Sequence, residues 1–191
     1  MSHLGDFAER RAAILRGMLP TGVSLVPLTP HPDDRGIFTE LYKTSWDTGV
    51  VPVQWNAVSS GPNVLRGVHV HLRHADYLTL VMGRATIGLH DLRHGSPTEG
   101  VGATVELVAG VPAALVIPEG VAHGFYFHEP SIHVYAVSRE FDPVDELGCR
   151  WDDPGLAIEW PCDDPLISPR DRGLGSLSDV RRIWNGTPES A

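Results

Sequence analysis

Basic residues are scarce in this sequence: 15 Lys and Arg stand against 24 Asp and Glu, a formal net charge of −9 over 191 residues. Proteins that grip a long polyanion gain affinity from massed Lys and Arg, so a general nucleic-acid-binding role is excluded. A small phosphorylated ligand is not excluded, because a few arginines converging in one pocket can hold a diphosphate whatever the overall sign. Cysteine is scarcer still. Cys149 and Cys162 are too few for a disulfide framework, and reduced thiols are expected. No apolar run is long enough to span a bilayer as a helix, so no membrane association is expected. The opening Met1-Ser2-His3-Leu4-Gly5-Asp6 has no basic stretch followed by an apolar one. A secretory leader is therefore not expected, and the cytoplasm is the expected location.

What is present points to one β-rich domain. The length suits a single sizeable core, and 20 Gly with 16 Pro are spread along the chain, as many short strands and tight turns require. A helix is predicted over Leu4 to Leu19, where Phe7, Ile14 and Met18 share a face, ended by Pro20 and Gly22. Strands are predicted over 23–28, 37–42, 51–58, 64–71, 76–82, 85–91, 104–108, 113–117, 123–127 and 132–138, with a hairpin turn at Gly83-Arg84. Ser59-Ser60-Gly61-Pro62-Asn63 reads as a breaker. A last helix is predicted over Leu177 to Trp184. Many short strands without alternating helices argue an all-β sandwich or barrel. The division expected is a helical extension over 1–21, a β domain over 22–176 and a tail over 177–191.

The ten histidines are placed tellingly. His69 and His71, two apart on a strand, point to one face. Asp76 opens the next strand, Gly83 turns the hairpin, and Pro118-Glu119-Gly120-Val121-Ala122-His123 follows. This succession resembles the two motifs of cupins, jelly-roll barrels in which three histidines and an acid converge on a divalent metal. Neutral imidazoles with a carboxylate suit Zn, Fe, Ni or Mn. The bland alternative is a set of hydrogen-bonded histidines lining a polar pocket.

A more specific resemblance covers about Gly22 to Ser176. It rests on Asp34-Arg35-Gly36-Ile37-Phe38-Thr39-Glu40, Gln54-Trp55-Asn56, Val64-Leu65-Arg66-Gly67-Val68-His69, Asp91-Leu92-Arg93 with Ser96-Pro97-Thr98, Ile117 to Phe125, Tyr135 to Pro143, Trp151-Asp152-Asp153-Pro154, Trp160-Pro161 and Ser168-Pro169-Arg170-Asp171. These stretches resemble the dTDP-4-dehydrorhamnose 3,5-epimerase family. The resemblance implies a cupin-type jelly roll with short peripheral helices, usually dimeric and commonly working without metal. It implies a nucleoside-diphosphate sugar as substrate, of the dTDP-4-dehydro-6-deoxyglucose kind, and a place in deoxysugar or surface-polysaccharide synthesis. It implies His69 as base, Asp171 as the carboxylate that orients it, and Tyr135 as the acid on the opposite face of the sugar. Arg35, Glu40, Gln54, Asn56, Arg66, His123, Glu146 and Arg170 would bind substrate or line its site, and Phe141 would stack on the nucleotide base. The chemistry is coherent: inverting a carbon beside a ketone needs a base on one face, an acid on the other and something to stabilise the enolate oxygen.

Two positions depart from that family. His71 stands where it usually has glutamine, and Asp76 stands where it has a lysine that can stabilise the enolate. A carboxylate cannot supply that positive charge. The same changes restore the metal pattern of other cupins, so His69, His71, Asp76 and His123 are candidate ligands of a divalent metal. The alternatives to an epimerase are accordingly a metal-dependent cupin isomerase or oxygenase, and a non-catalytic sugar-nucleotide binding protein.

Overall fold

The structure is a computed structural model that describes residues 14–186. In chain order the strands are β1 (Ile14–Arg16), β2 (Ser24–Pro27), β3 (Pro30–Asp33), β4 (Gly36–Thr39), β5 (Gln54–Ser60), β6 (Val64–Val70), β7 (Asp76–Met82), β8 (Arg84–Asp91), β9 (Gly102–Val108), β10 (Ala113–Ile117), β11 (Val121–Phe127), β12 (Ser131–Val137) and β13 (Leu147–Gly148). Two helices follow, α1 (Pro169–Arg172) and α2 (Leu177–Gly186). One sheet runs β1-β9-β8-β11-β6-β13 and the other β2-β10-β7-β12-β5, while β3 and β4 form a separate hairpin. All named ladders are antiparallel, the arrangement of a jelly-roll barrel.

Period-2 alternation decides what lies inside. On β7, Leu78 and Leu80 join a core with Ile87, Leu89, Val105, Leu107, Leu115, Ile117 and Phe127, contributed by both sheets. Tyr77, on the opposite face of the same strand, packs with Leu28, Val50, Ala114 and Val116. The first sheet is also covered on its outer side. There Val68, Val70, Leu92 and Ala122 meet Leu156, Leu177, Val180 and Trp184. Thus α2 plugs a core with one apolar stripe, and the segment from residue 177 is packed against the barrel. Leu177, Val180 and Trp184 recur at helical spacing, as such a stripe requires.

The strands predicted over 76–82 and 113–117 coincide with β7 and β10. Most of the helix predicted over residues 4–19 lies outside the described residues, and its stretch Ile14–Arg16 is instead a strand pairing with β9. Ser59 and Ser60, read as part of a breaker, end β5; the turn comes at Gly61 to Asn63, with Asn63 at φ 57°. Strand β3 is hidden in the sequence by Pro30 and Pro32. A two-stranded hairpin tolerates them because one edge needs no ladder.

Candidate active site

One mouth of the barrel holds a cavity of about 310 Å³ lined from both sheets. Strands β5, β7 and β12 supply Gln54, Asn56, Asp76, Leu78, His133 and Tyr135. On β12, His133, Tyr135 and Val137 face the cavity by simple alternation, and Asn56 sits directly across from Tyr135. The facing sheet supplies Arg66, His69, His123 and Phe125.

Arg66 and His69 have opposite parity, so a regular strand would point them to opposite faces. The register between β6 and β11 shows why they share the cavity: His123 pairs with His69 and Phe125 with Arg66, so two steps on β11 oppose three on β6. This bulge re-aims the side chains. Gly67 lies inside it at φ 110°, where a Cβ would meet the Gly124 Cα and the His123 carbonyl oxygen at 2.8 Å each. Only glycine fits such a backbone without displacing β11.

His69 Nε2 and Asp171 Oδ1 lie 2.7 Å apart. Asp171 is delivered by α1, whose N-cap Ser168 accepts a hydrogen bond from the Asp171 backbone N–H at 3.0 Å. Burial alone would raise the Asp171 carboxyl, but hydrogen bonds from His69, the Gly67 N–H and the Ser168 region hold it below the usual value. The carboxylate fixes the tautomer with hydrogen on Nε2, leaving Nδ1 of His69 to exchange a proton. Tyr135 lies on the opposing sheet. Burial, then the nearby Asp76 and Glu146, raise its phenol, so it is protonated at neutral pH.

At the rim, Arg170 pairs with Glu146 at 3.2 Å and the Phe141 N–H donates to Gln54 Oε1 at 3.0 Å. Phe141 is exposed. The Arg66 guanidinium is steadied by Ser60 Oγ at 2.9 Å and the Ser59 carbonyl oxygen at 3.3 Å. Of the residues predicted for the site, Gln54, Asn56, Arg66, His69, His123, Tyr135, Phe141, Glu146, Arg170 and Asp171 line this cavity. Arg35 and Glu40 do not: Arg35 sits between β3 and β4 with its side chain exposed, 2.6 Å from Asp33, and Glu40 pairs with Lys43 at 2.7 Å.

The four candidate metal ligands divide. His71, Asp76 and His123 bring donor atoms within 4.8 Å of one another. His69 stands apart from that cluster and is turned to Asp171. Burial, then the neighbouring His123, His74 and His69, lowers His71 to about 2; burial lowers His123 to about 4. Both imidazoles are therefore neutral at physiological pH. Burial, then Glu146 and Asp145, pushes the Asp76 carboxyl well up.

Several lining residues were not singled out from the sequence. His133 stacks among Phe125, Phe127 and Tyr135, and alternation from Tyr135 would have found it. Ser168-Pro169-Arg170-Asp171 carries the signature of a helix start: an N-cap serine, proline next, an acid at the third position. The His74 ring stacks on His71 at 3.9 Å. It is held by buried Asp145, which also accepts the Leu72 and Arg73 N–H groups at 2.7 and 3.2 Å. Asp145 thereby clamps the loop after β6.

A family model described as dTDP-4-dehydrorhamnose 3,5-epimerase matches residues 20–179. A dTDP-4-dehydrorhamnose 3,5-epimerase of Pseudomonas aeruginosa is 38% identical over 160 residues, covering 78% of this chain and 87% of that protein. A dTDP-4-dehydrorhamnose 3-epimerase of Streptomyces niveus is 34% identical over 174 residues, covering 85% and 84%. The crystal structure of a 4-keto-6-deoxy sugar epimerase from Streptomyces spheroides superposes with a TM-score of 0.80 at 32% identity, covering 90% of each chain. With the jelly roll and the cavity's contents, these likenesses show that the chain belongs to the dTDP-4-dehydrorhamnose 3,5-epimerase family of isomerases.

Proposed function

We propose that this enzyme epimerises a dTDP-linked 4-keto-6-deoxyhexose at a carbon flanking the ketone. The observation that carries the reading is the His69–Asp171 pair at 2.7 Å, with His69 on one sheet and protonated Tyr135 lining the same cavity from the other. His69 Nδ1 takes the proton next to the ketone; Asp171 stabilises the imidazolium that results. Tyr135 returns a proton to the opposite face of the carbon, inverting it. Arg66, Arg170, Gln54 and Asn56 bind the substrate, with the arginines suited to its diphosphate. Phe141, exposed at the rim, stacks on the base. His123 and Glu146 line the sugar's end of the cavity. A non-catalytic binding protein would have no need of the carboxylate behind His69.

The β3–β4 hairpin supports a homodimer. It leaves Ile37 and Phe38 58% and 65% exposed and carries Arg35 away from its own cavity. In the proposed dimer, Arg35 and Glu40 serve the second subunit's site. No helix of the described residues is long and apolar enough to cross a membrane, and we place the enzyme in the cytoplasm, in deoxysugar or polysaccharide synthesis. The family reaction needs no cofactor for the proton transfers themselves, which the side chains named here perform.

The test is turnover of dTDP-4-keto-6-deoxyglucose followed by NMR of the sugar. An epimerised product at the carbon next to the ketone is expected. An unchanged sugar with fully folded enzyme would overturn the reading.

A further inference from the structure

We infer that His71 Nε2, Asp76 Oδ2 and His123 Nε2 form a binding site for one divalent first-row transition-metal ion, with His69 excluded. The inference rests on the epimerase reading of the cavity only for the ion's role, not for its binding.

Three electron-pair donors meet at this point. Asp76 Oδ2 lies 3.9 Å from His71 Nε2 and 3.8 Å from His123 Nε2. Asp76 is 4% exposed, and the His71 and His123 rings are the basic side chains shown within 4 Å of its carboxyl oxygen. The charge of a buried carboxylate is costly; a proton offsets that cost, and so does a cation held jointly with the two imidazoles. The His123 Nε2 carries no proton in the neutral ring. His123 Nδ1 donates to the Val121 carbonyl oxygen at 3.1 Å, which leaves the lone pair on Nε2. His71 is 8% exposed, and its Nδ1 has no hydrogen bond although Glu146 Oε1 is 3.3 Å away. A small turn of either side chain would make Glu146 the outer partner that metal-bound histidines usually have.

The spacing fits an ion after a modest contraction. Ligand bonds of about 2.1 Å in tetrahedral geometry put donors about 3.4 Å apart, roughly half an ångström closer than Asp76 stands to either histidine. Two histidines and one carboxylate leave coordination positions open on the cavity side, the donor set of catalytic zinc and non-haem iron sites. The neighbouring cluster His71, His74 and Asp145 is a different case, because Asp145 is already taken up by His74 and two backbone N–H groups. Asp76 opens β7 beside Leu78 in the sugar cavity, at the position where the family resemblance places an enolate-stabilising lysine. A bound divalent ion would supply that positive charge as a Lewis acid. His69, held by Asp171, stays free of the ion and keeps its role as base.

The experiment is metal analysis of untagged protein by mass spectrometry, then calorimetric titration of chelator-stripped protein with Zn²⁺, Mn²⁺, Co²⁺, Ni²⁺ and Fe²⁺ separately. One ion per chain is expected for at least one metal. Asp76→Asn and His71→Gln should weaken binding by more than the roughly 10- to 100-fold that loss of an outer partner costs. His69→Asn should bind the ion as the wild type does, and the Co²⁺ form should show ligand-field absorption that Asp76→Asn lacks. Circular dichroism checks that each variant is folded. Absence of saturable binding for every metal in the folded wild type would overturn the site, as would binding that is lost in His69→Asn but kept in Asp76→Asn. The metal-free wild type should lose on the order of 100-fold in kcat, comparable to losing one oxyanion donor. Full activity without metal would overturn the ion's role and leave the epimerase reading standing. Stoichiometric binding without epimerisation in any form would do the reverse.

Discussion

Asp171 reaches across 102 positions of sequence to lie 2.7 Å from His69 Nε2. The contact depends on three local features. Ser168 starts α1, Gly67 admits the bulge that turns His69 inward, and the Gly67 N–H approaches Asp171 Oδ2 at 3.4 Å. A helix of four residues thus orients the imidazole on a strand.

Removing the charge of that carboxylate should cripple the base while leaving the fold intact. Asp171→Asn is expected to lower kcat by about 10³- to 10⁴-fold, as loss of the orienting carboxylate does in catalytic triads, with KM little changed. Steady-state kinetics checks this. Equal losses in kcat and thermal stability would show a merely structural carboxylate.

Tyr135→Phe separates the two proton transfers. The base remains, so deuterium from solvent should still enter the carbon beside the ketone on its original face. Epimerised product should fall by about 10²- to 10⁴-fold, the usual worth of a positioned acid. Mass and NMR analysis of recovered substrate reads both.

His133 predicts an acid-labile fold. It is 4% exposed with an orphaned Nδ1, and burial, then Arg66, lowers it to about 4. An unfolded histidine titrates near pH 6.5, so between about pH 6.5 and 4 the unfolded chain binds more protons than the folded one. This contribution to stability is present above pH 6.5 and lost as pH falls toward 4, by up to about 1.4 kcal/mol per unit. The Tm should drop across that window. His133→Phe, whose ring suits a stack with Phe125, Phe127 and Tyr135, should make the drop shallower, with His71 and His123 supplying the rest.

Asp91 is a structural anchor and not part of the site. It is fully buried and accepts from Arg93 Nε at 2.8 Å, Ser96 Oγ at 2.7 Å and Thr98 Oγ1 at 2.6 Å. Burial would raise its carboxyl, but these hydrogen bonds outweigh burial and hold it well below the usual range. Asp91→Ala should cost about 3–5 kcal/mol in denaturant unfolding, because it strands buried donors. Its kcat/KM, measured on the folded fraction, should be near that of the wild type.

How far the sequence carries follows from these residues. Alternation places His69 with His71 and picks out the strand that becomes β7, because period 2 is a local property. Alternation alone would put Arg66 on the wrong face, since the bulge depends on how β6 meets β11. The partnership of His69 with Asp171 comes from family resemblance; no local pattern joins residues so far apart. The resemblance in turn leaves His69 among the metal candidates, and only the geometry sets it beside Asp171 and leaves His71, Asp76 and His123 together. Motif membership also does not tell anchor from site, as Asp91 shows: it stands in a stretch that resembles the family yet serves a buried network.

The most direct measurement is solvent exchange in D₂O with dTDP-4-keto-6-deoxyglucose, wild type beside His69→Asn. The account predicts rapid deuterium incorporation at a carbon flanking the ketone by the wild type and loss of about 10²-fold or more in His69→Asn. Exchange that continues undiminished in a folded His69→Asn variant would contradict it, because another group would then be the base.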